Sequence, residues 1–206
     1  MRWSLELSTA PTLEPLTLDE VRDHCGITTT NDDAYLDALI VTVRQAMEHR
    51  LRRALLTQTR KLRIDDDWPA SGRVYLPRPP LQSVTSVAYL DTAGASQTLA
   101  ASVYQVVGAR TTPDADASLA YLRPAYAQSW PSVRAVPETV TITYVCGWVA
   151  RGYIPQPIRQ AMLVAIAELY EQRETTITGT IVEEVPTIQR LIASYRIYHD
   201  FADDCG

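Results

Sequence analysis

Apolar residues recur every three to four positions at both ends of this sequence and every two positions in its middle. These two periods belong to different kinds of element. Leu36, Leu39, Ile40, Val43, Met47 and Leu51 make one helical stripe. Ile158, Met162, Ala165, Ile166, Leu169 and Tyr170 make a second, and Ile188, Leu191, Ile192, Tyr195 and Tyr198 a third. No helical part can bury its stripe alone, so the spacing predicts that the two ends fold together. The expected class is α+β: a helical bundle built from both chain ends, residues 1–56 and 151–206, with an inserted small, mostly antiparallel β unit at 57–150.

Local signals set the boundaries. Thr17-Leu18-Asp19-Glu20 reads as a capping box and Gly26 as a helix stop, giving a helix over 17–25. Asn31-Asp32-Asp33 places carboxylates at the positive end of a long helix over 32–53. Strands are expected at 57–64, 74–76, 84–90, 97–99, 104–107, 119–122 and 139–145. Turn chemistry separates them: Asp65-Asp66-Asp67-Trp68-Pro69, Pro77 to Pro80, Asp91-Thr92-Ala93-Gly94, and Pro124 to Pro137. Pro155 and Pro157 suit the first turn of a helix over 156–173, Thr175–Val185 reads as an exposed loop or extended arm, and Pro186 precedes a last helix over 187–198.

Composition narrows the function classes. With 206 residues, 46% of them hydrophobic and 21% charged, the chain can build a full core, which excludes a disordered or fibrous protein. Cys25, Cys146 and Cys205 are far apart and form no metal-binding or disulfide pattern, which suits a reducing compartment. The first twenty residues lack an apolar core, and the longest apolar run, Ala161–Ala167, is too short to span a bilayer. A soluble protein assembled in the cytoplasm, without a membrane partner, is expected. The net charge of -5 argues against a chain that seeks phosphates. Eleven Tyr and four Trp against one Phe, with Arg as nearly the only cation, are the types enriched at protein interfaces.

The chemistry-bearing residues do not converge. GxSxG, HExxH, GxGxxG and P-loop signatures are all missing, and His24, His49 and His199 are isolated from one another in sequence. No enzyme, cofactor or metal is expected. Asp65 to Asp67 lack the regular oxygen spacing and glycine of a calcium loop and read as a solvated turn. Asp203-Asp204-Cys205 reads as a frayed end. Trp68, Trp130 and Trp148 could form the stacking platform of a ligand- or glycan-binding β module, although Pro69 and Pro131 beside two of them favour turn packing. Arg44, Arg50, Arg52, Arg53, Arg60, Lys61 and Arg63 form a local basic patch with Glu48 as its only acid. It reads either as cations at a helix C-terminus and along a solvated strand, or as a contact in which guanidinium forks meet carboxylates.

The order of segments resembles the head–tail connector, or adaptor, proteins of long-tailed bacteriophages and phage-derived gene transfer agents. Leu16 to Val21, Asp32 to Ile40, Arg53 to Thr59, Leu76 to Val84, Tyr126 to Pro131, Ile154 to Ala161 and Leu191 to Arg196 carry the resemblance. It implies a non-enzymatic virion protein at the head–tail junction, forming a ring usually of twelve subunits beneath the portal protein. Its partners would be neighbouring copies, the portal and the next neck or stopper protein, with DNA passing through the lumen without specific binding. Connectors of this kind commonly engage the portal through their C-terminal region. That makes Arg190, Tyr195, Arg196, Tyr198 and Phe201 the portal-binding candidates, and Arg44, Arg50, Arg52 and Arg53 the candidates for subunit or partner contacts. The alternatives are another neck component, such as a head-completion stopper or tail-completion protein, and the ligand-binding module above. One departure concerns Arg52, where the resemblance leads us to expect glycine. The long helix therefore ends less sharply, or Arg52 takes a costly left-handed conformation.

Overall fold

The computed structural model describes residues 2–109, 119–171 and 186–198. The chain divides into two compact units: Met1–Pro11 and Thr57–Gly147 with Tyr198 in one, Thr12–Leu56 and Trp148–Ile197 in the other.

The second unit is helical, with α1 at Leu18–Cys25, α2 at Asp33–Leu51, α3 at Gln156–Glu171 and α4 at Pro186–Ile192. Thr17 starts α1 through a reciprocal capping box: its hydroxyl accepts from the Glu20 amide, and its own amide donates to the Glu20 carboxylate at 2.8 Å. Both α1 and α2 end with a left-handed residue. After α1 that residue is Gly26, and the Ile27 amide reaches back to the Arg22 carbonyl. After α2 it is Arg52, with φ 55° and ψ 33°, and the Arg53 amide reaches back to the Glu48 carbonyl. The same closing motif is thus built once with glycine and once with arginine. It stops α2 at Leu51, two residues before the sequence-based limit. Leu36, Ile40, Val43, Met47 and Leu51 pack with Trp148, Ile158, Met162, Ala165, Ile166, Ile188 and Ile192 in one buried cluster. The Tyr170 hydroxyl donates to Asp32 at 2.7 Å, tying the end of α3 to the start of α2.

The first unit holds two sheets, in which every pairing is antiparallel. Strands β1 (Trp3–Thr9), β2 (Gln58–Ile64), β8 (Val140–Cys146), β4 (Leu81–Leu90) and β5 (Ser96–Thr98) form the larger sheet in the order β1-β2-β8-β4-β5. Strands β3 (Val74–Leu76), β7 (Ala120–Pro124) and β6 (Tyr104–Val107) form the smaller sheet in the order β3-β7-β6. Alternate residues of β2 and β8 are buried, so Leu62, Ile64, Val140, Ile142 and Tyr144 make the inner face. The Tyr144 hydroxyl donates to the Pro77 carbonyl at 2.7 Å, which satisfies a polar tip that burial would otherwise strand.

Three expectations need correction. Residues 3–9 do not join the helical body; they form β1, antiparallel to β2. Trp3, Leu5 and Leu7 alternate there with Ser4, Glu6 and Ser8, the period of a strand, and all its residues but Leu5 are exposed. The last helix is shorter than 187–198: α4 ends at Ile192, tightens into a 3-10 turn at Ala193–Tyr195 and is extended at Arg196. The Ile197 amide is drawn to the Leu51 carbonyl at 3.0 Å, which a continuing helix would not allow. The helical body resumes at Trp148, so the β unit closes at Gly147. Thr175–Val185 lies outside the described residues. Among the described residues no helix is long and apolar enough to cross a membrane.

Candidate functional site

The C-terminal helix is held by one face and open on the other. Ile188 and Ile192, one turn apart, are buried, while Leu191 and Tyr195 are half-buried against the same cluster. Burying two isoleucines contributes about 1.5–3 kcal/mol each. Gln189, Arg190, Ser194 and Arg196 remain exposed, and Tyr198 is 70% exposed. The inward stripe and the outward polar face therefore coexist on one short element. Phe201 lies outside the described residues.

Arg53 connects this segment to the end of α2. Its Nε donates to the Tyr195 carbonyl at 2.5 Å, where the 3-10 turn leaves an acceptor that needs a partner. Two candidate sets far apart in sequence thus meet, and Arg53 positions the C-terminal segment from inside the unit. It is buried.

Arg44 is internal as well. Its Nε lies 2.7 Å from Glu14 and its Nη1 3.6 Å from Glu48, and only 7% of its side chain is exposed. Glu48 also accepts the Leu55 amide at 2.8 Å, and Arg151 donates to the Glu14 carbonyl at 2.6 Å. This network fastens both arms of the helical body to each other. Arg44 and Arg53, candidates for subunit or partner contacts, are thus buried and engaged within the chain, where they act as internal struts. A signal was present for Arg44: it sits four residues after Ile40 and three before Met47, on the buried stripe. Arg50 and Arg52 are half-buried.

Two further ionic clusters brace α1. Arg22 engages Asp33 and, at 3.2 Å, Asp19, while Arg159 of α3 engages Glu20. Burial alone would raise the Glu20 carboxyl; the Thr17 amide and the Arg159 guanidinium outweigh it and hold the group below its ordinary value. Burial, with the nearby Glu171 charge, pushes the Cys25 thiol up, away from reactivity.

The tryptophans and aspartates of the β-unit loops make contacts within the chain. Trp68 and Trp130 stack with centroids 4.3 Å apart and rings 8° from parallel. Their indole N–H groups donate to the Pro131 carbonyl at 2.9 Å and the Gly72 carbonyl at 3.1 Å, clamping two loops of the β unit. Trp148 is buried in the helical unit, so the three do not form one platform. Asp65 accepts the Glu138 amide and Asp67 the Trp68 amide. Among the described residues no group of three His, Cys, Asp or Glu side chains is placed to hold a metal.

Sequence reasoning missed two exposed features. Tyr126, 95% exposed, stands at the tip of a turn closed by the Gln128 amide on the Ala125 carbonyl, with Ala127 at φ 58°. The other is β1, where Trp3 and Leu7 are 38% and 45% exposed. An aromatic within a turn, and an apolar alternation short of a full strand pattern, were the available signals.

Comparison with known proteins gives solved structures similar over nearly the whole chain. The solved structure described as "Neck of empty GTA particle computed with C6 symmetry" is similar with a TM-score of 0.75 and 22% identity, over 96% of this chain and 97% of that one. "Virion of native gene transfer agent (GTA) particle" gives 0.73 and 23%, over 97% and 98%. "Neck of native GTA particle computed with C12 symmetry" gives 0.69 and 23%, over 96% and 97%. No curated protein matches the sequence. The family model described as "Phage gp6-like head-tail connector protein" matches residues 15–122, more than half of the chain, and the chain belongs to that family.

Proposed function

We propose that this protein is a structural adaptor of the particle neck. Copies form a ring beneath the portal, join the DNA-filled head to the tail and continue the DNA channel. Family membership over residues 15–122 carries the reading. Similarity over nearly the whole chain to proteins of necks reconstructed with sixfold and twelvefold symmetry supports the ring. The role asks only for surfaces: lateral contacts, a face for the portal, a face for the next neck protein, and a lumen along which DNA slides. We assign no enzymatic activity and place assembly in the bacterial cytoplasm. The β unit, Thr57–Gly147 together with β1, is an addition to a helical connector body.

The portal face is the outward side of α4 and the residues after it: Arg190, Arg196, Tyr198 and, beyond the described residues, Phe201, with Tyr195 as the hinge between core and surface. Arginine and tyrosine are the common anchors of interfaces, and this face lies directly behind a stripe that fixes its position. Deleting the helix would unseat Ile188 and Ile192, so charge reversal is the cleaner test. Arg190→Glu with Arg196→Glu should leave the melting temperature nearly unchanged and abolish joining to portal-bearing heads. A folded double variant that joins them normally would refute the assignment.

A further inference from the structure

Tyr126 is a nearly bare aromatic side chain on a fixed support. It is 95% exposed, and its turn is closed by the Gln128 amide on the Ala125 carbonyl at 3.0 Å. The Ala125 amide donates to the Val103 carbonyl at 2.9 Å, and the ring stack and indole bond of Trp130 hold the other end of the loop. Ala127 completes the turn at φ 58°, in the left-handed region that an L-residue enters only at a cost. Packing inside the unit does not account for this tyrosine, because hardly any of its surface is covered. An aromatic ring held out on a rigid loop loses little freedom when it docks. Arg123, three residues earlier and exposed, is engaged by the neutral side chain of Gln105 at 3.0 and 3.1 Å, and among the described residues no acid pairs with it.

The same unit carries a socket of matching chemistry. An open cleft of about 550 Å³ is lined by Arg2, Trp3, Ser4, Asp65, Pro137 and Glu138. Trp3, which keeps 38% of its surface exposed, and Pro137 supply apolar walls. Asp65 and Glu138 supply carboxylates whose places are fixed: Asp65 accepts the Glu138 amide at 2.8 Å, and Glu138 meets Arg63 through one oxygen at 2.6 Å. Arg2 supplies a guanidinium. A tyrosine uses that combination, with walls for its ring, an acceptor for its hydroxyl and a cation for its face. Two lining carboxylates against one lining guanidinium also suit a ring that arrives with Arg123 beside it. At 95% exposure Tyr126 does not occupy the cleft of its own chain.

We propose that, in the ring, Tyr126 of one copy inserts into this cleft on the neighbouring copy. The proposal rests on the ring reading above. Knob and cleft are different patches of one unit, so the contact between copies is heterologous, the kind that closes into rings. The ring of Tyr126 packs between Trp3 and Pro137 of the neighbour, its hydroxyl donates to a carboxylate there, and Arg123 adds charge attraction at the rim.

In the test, chains carrying photoreactive azidophenylalanine in place of Tyr126 are mixed with differently tagged wild-type chains on portal-bearing heads and irradiated. The expected adduct joins the two tags, forms only on assembly and maps to residues 2–4 or 137–138. An adduct to the portal, to DNA or within a single chain would overturn the proposal. Complete rings with no adduct at the cleft would overturn it while leaving the ring reading intact. Failure of the wild-type chain to form any ring would overturn both. Tyr126→Ala should keep its melting temperature, because the side chain is 95% exposed, and should lower ring completion at limiting protein roughly tenfold or more. Ser4→Trp, which crowds the cleft from its wall, should do the same with Tyr126 intact. Normal ring completion by either folded variant counts against the proposal.

Discussion

Arg52 sits where α2 must turn the chain, at φ 55°, a conformation that costs an L-residue about 1–2 kcal/mol. Glycine there avoids the Cβ penalty but has more freedom to lose on folding, so Arg52→Gly should stabilise the protein by about 1 kcal/mol. Arg52→Ala should not, because alanine meets the same steric penalty. Chemical denaturation of both variants checks this, and equal effects would show that the arginine side chain, not its backbone, governs the position. Arg44 acts differently. Removing it as Arg44→Ala leaves Glu14 and Glu48 facing each other with Glu48 buried, and should cost about 3–5 kcal/mol. A loss under about 1 kcal/mol would show that solvent screens the pair. The left-handed turn was legible in the sequence as one of two outcomes, because an expected glycine was replaced. The burial of Arg53 was not, because its acceptor is a backbone carbonyl 142 residues away that no side-chain pattern encodes.

Elements whose signals are local were the most legible. The α1 capping box and its glycine stop involve residues three to eight apart, and the structure holds both as the spacing predicts. Glu20 makes that cap sensitive to pH. Its folded value is depressed below its unfolded one, so its stabilising contribution is complete above the unfolded value and fades as pH falls through the folded value. The difference in melting temperature between wild type and Glu20→Ala should therefore be largest near neutral pH and shrink on acidification. A difference that grew as pH fell would contradict the sign. The end of the last helix was less legible, because the Ile197 amide leaves helical geometry for the distant Leu51 carbonyl. β1 was missed for a related reason: its alternation of Trp3, Leu5 and Leu7 with polar residues is brief, and its place is set by pairing with the distant β2.

At the scale of the whole molecule, an acidic chain of net charge -5 uses several of its arginines internally, against Glu14, Glu20, Asp33 and the Tyr195 carbonyl. A net negative charge gives little long-range attraction to a duplex. Purified protein should show no tight duplex binding at physiological salt. Tight, steeply salt-dependent binding lost on reversing Arg50 and Arg52 would contradict this. The switch of hydrophobic period and the order of segments carried the architecture, since both follow from which face each element buries. The surfaces that meet other molecules left weaker traces, because an interface outside the folded unit constrains residue type without imposing a period. Native mass spectrometry of the protein alone and with its portal tests the central claim most directly. Lateral contacts too weak to hold in solution gain effective concentration when subunits sit side by side, so the expected result is a small species alone and a closed ring on the portal. A stable two-fold dimer in both samples, indifferent to the portal, would contradict it.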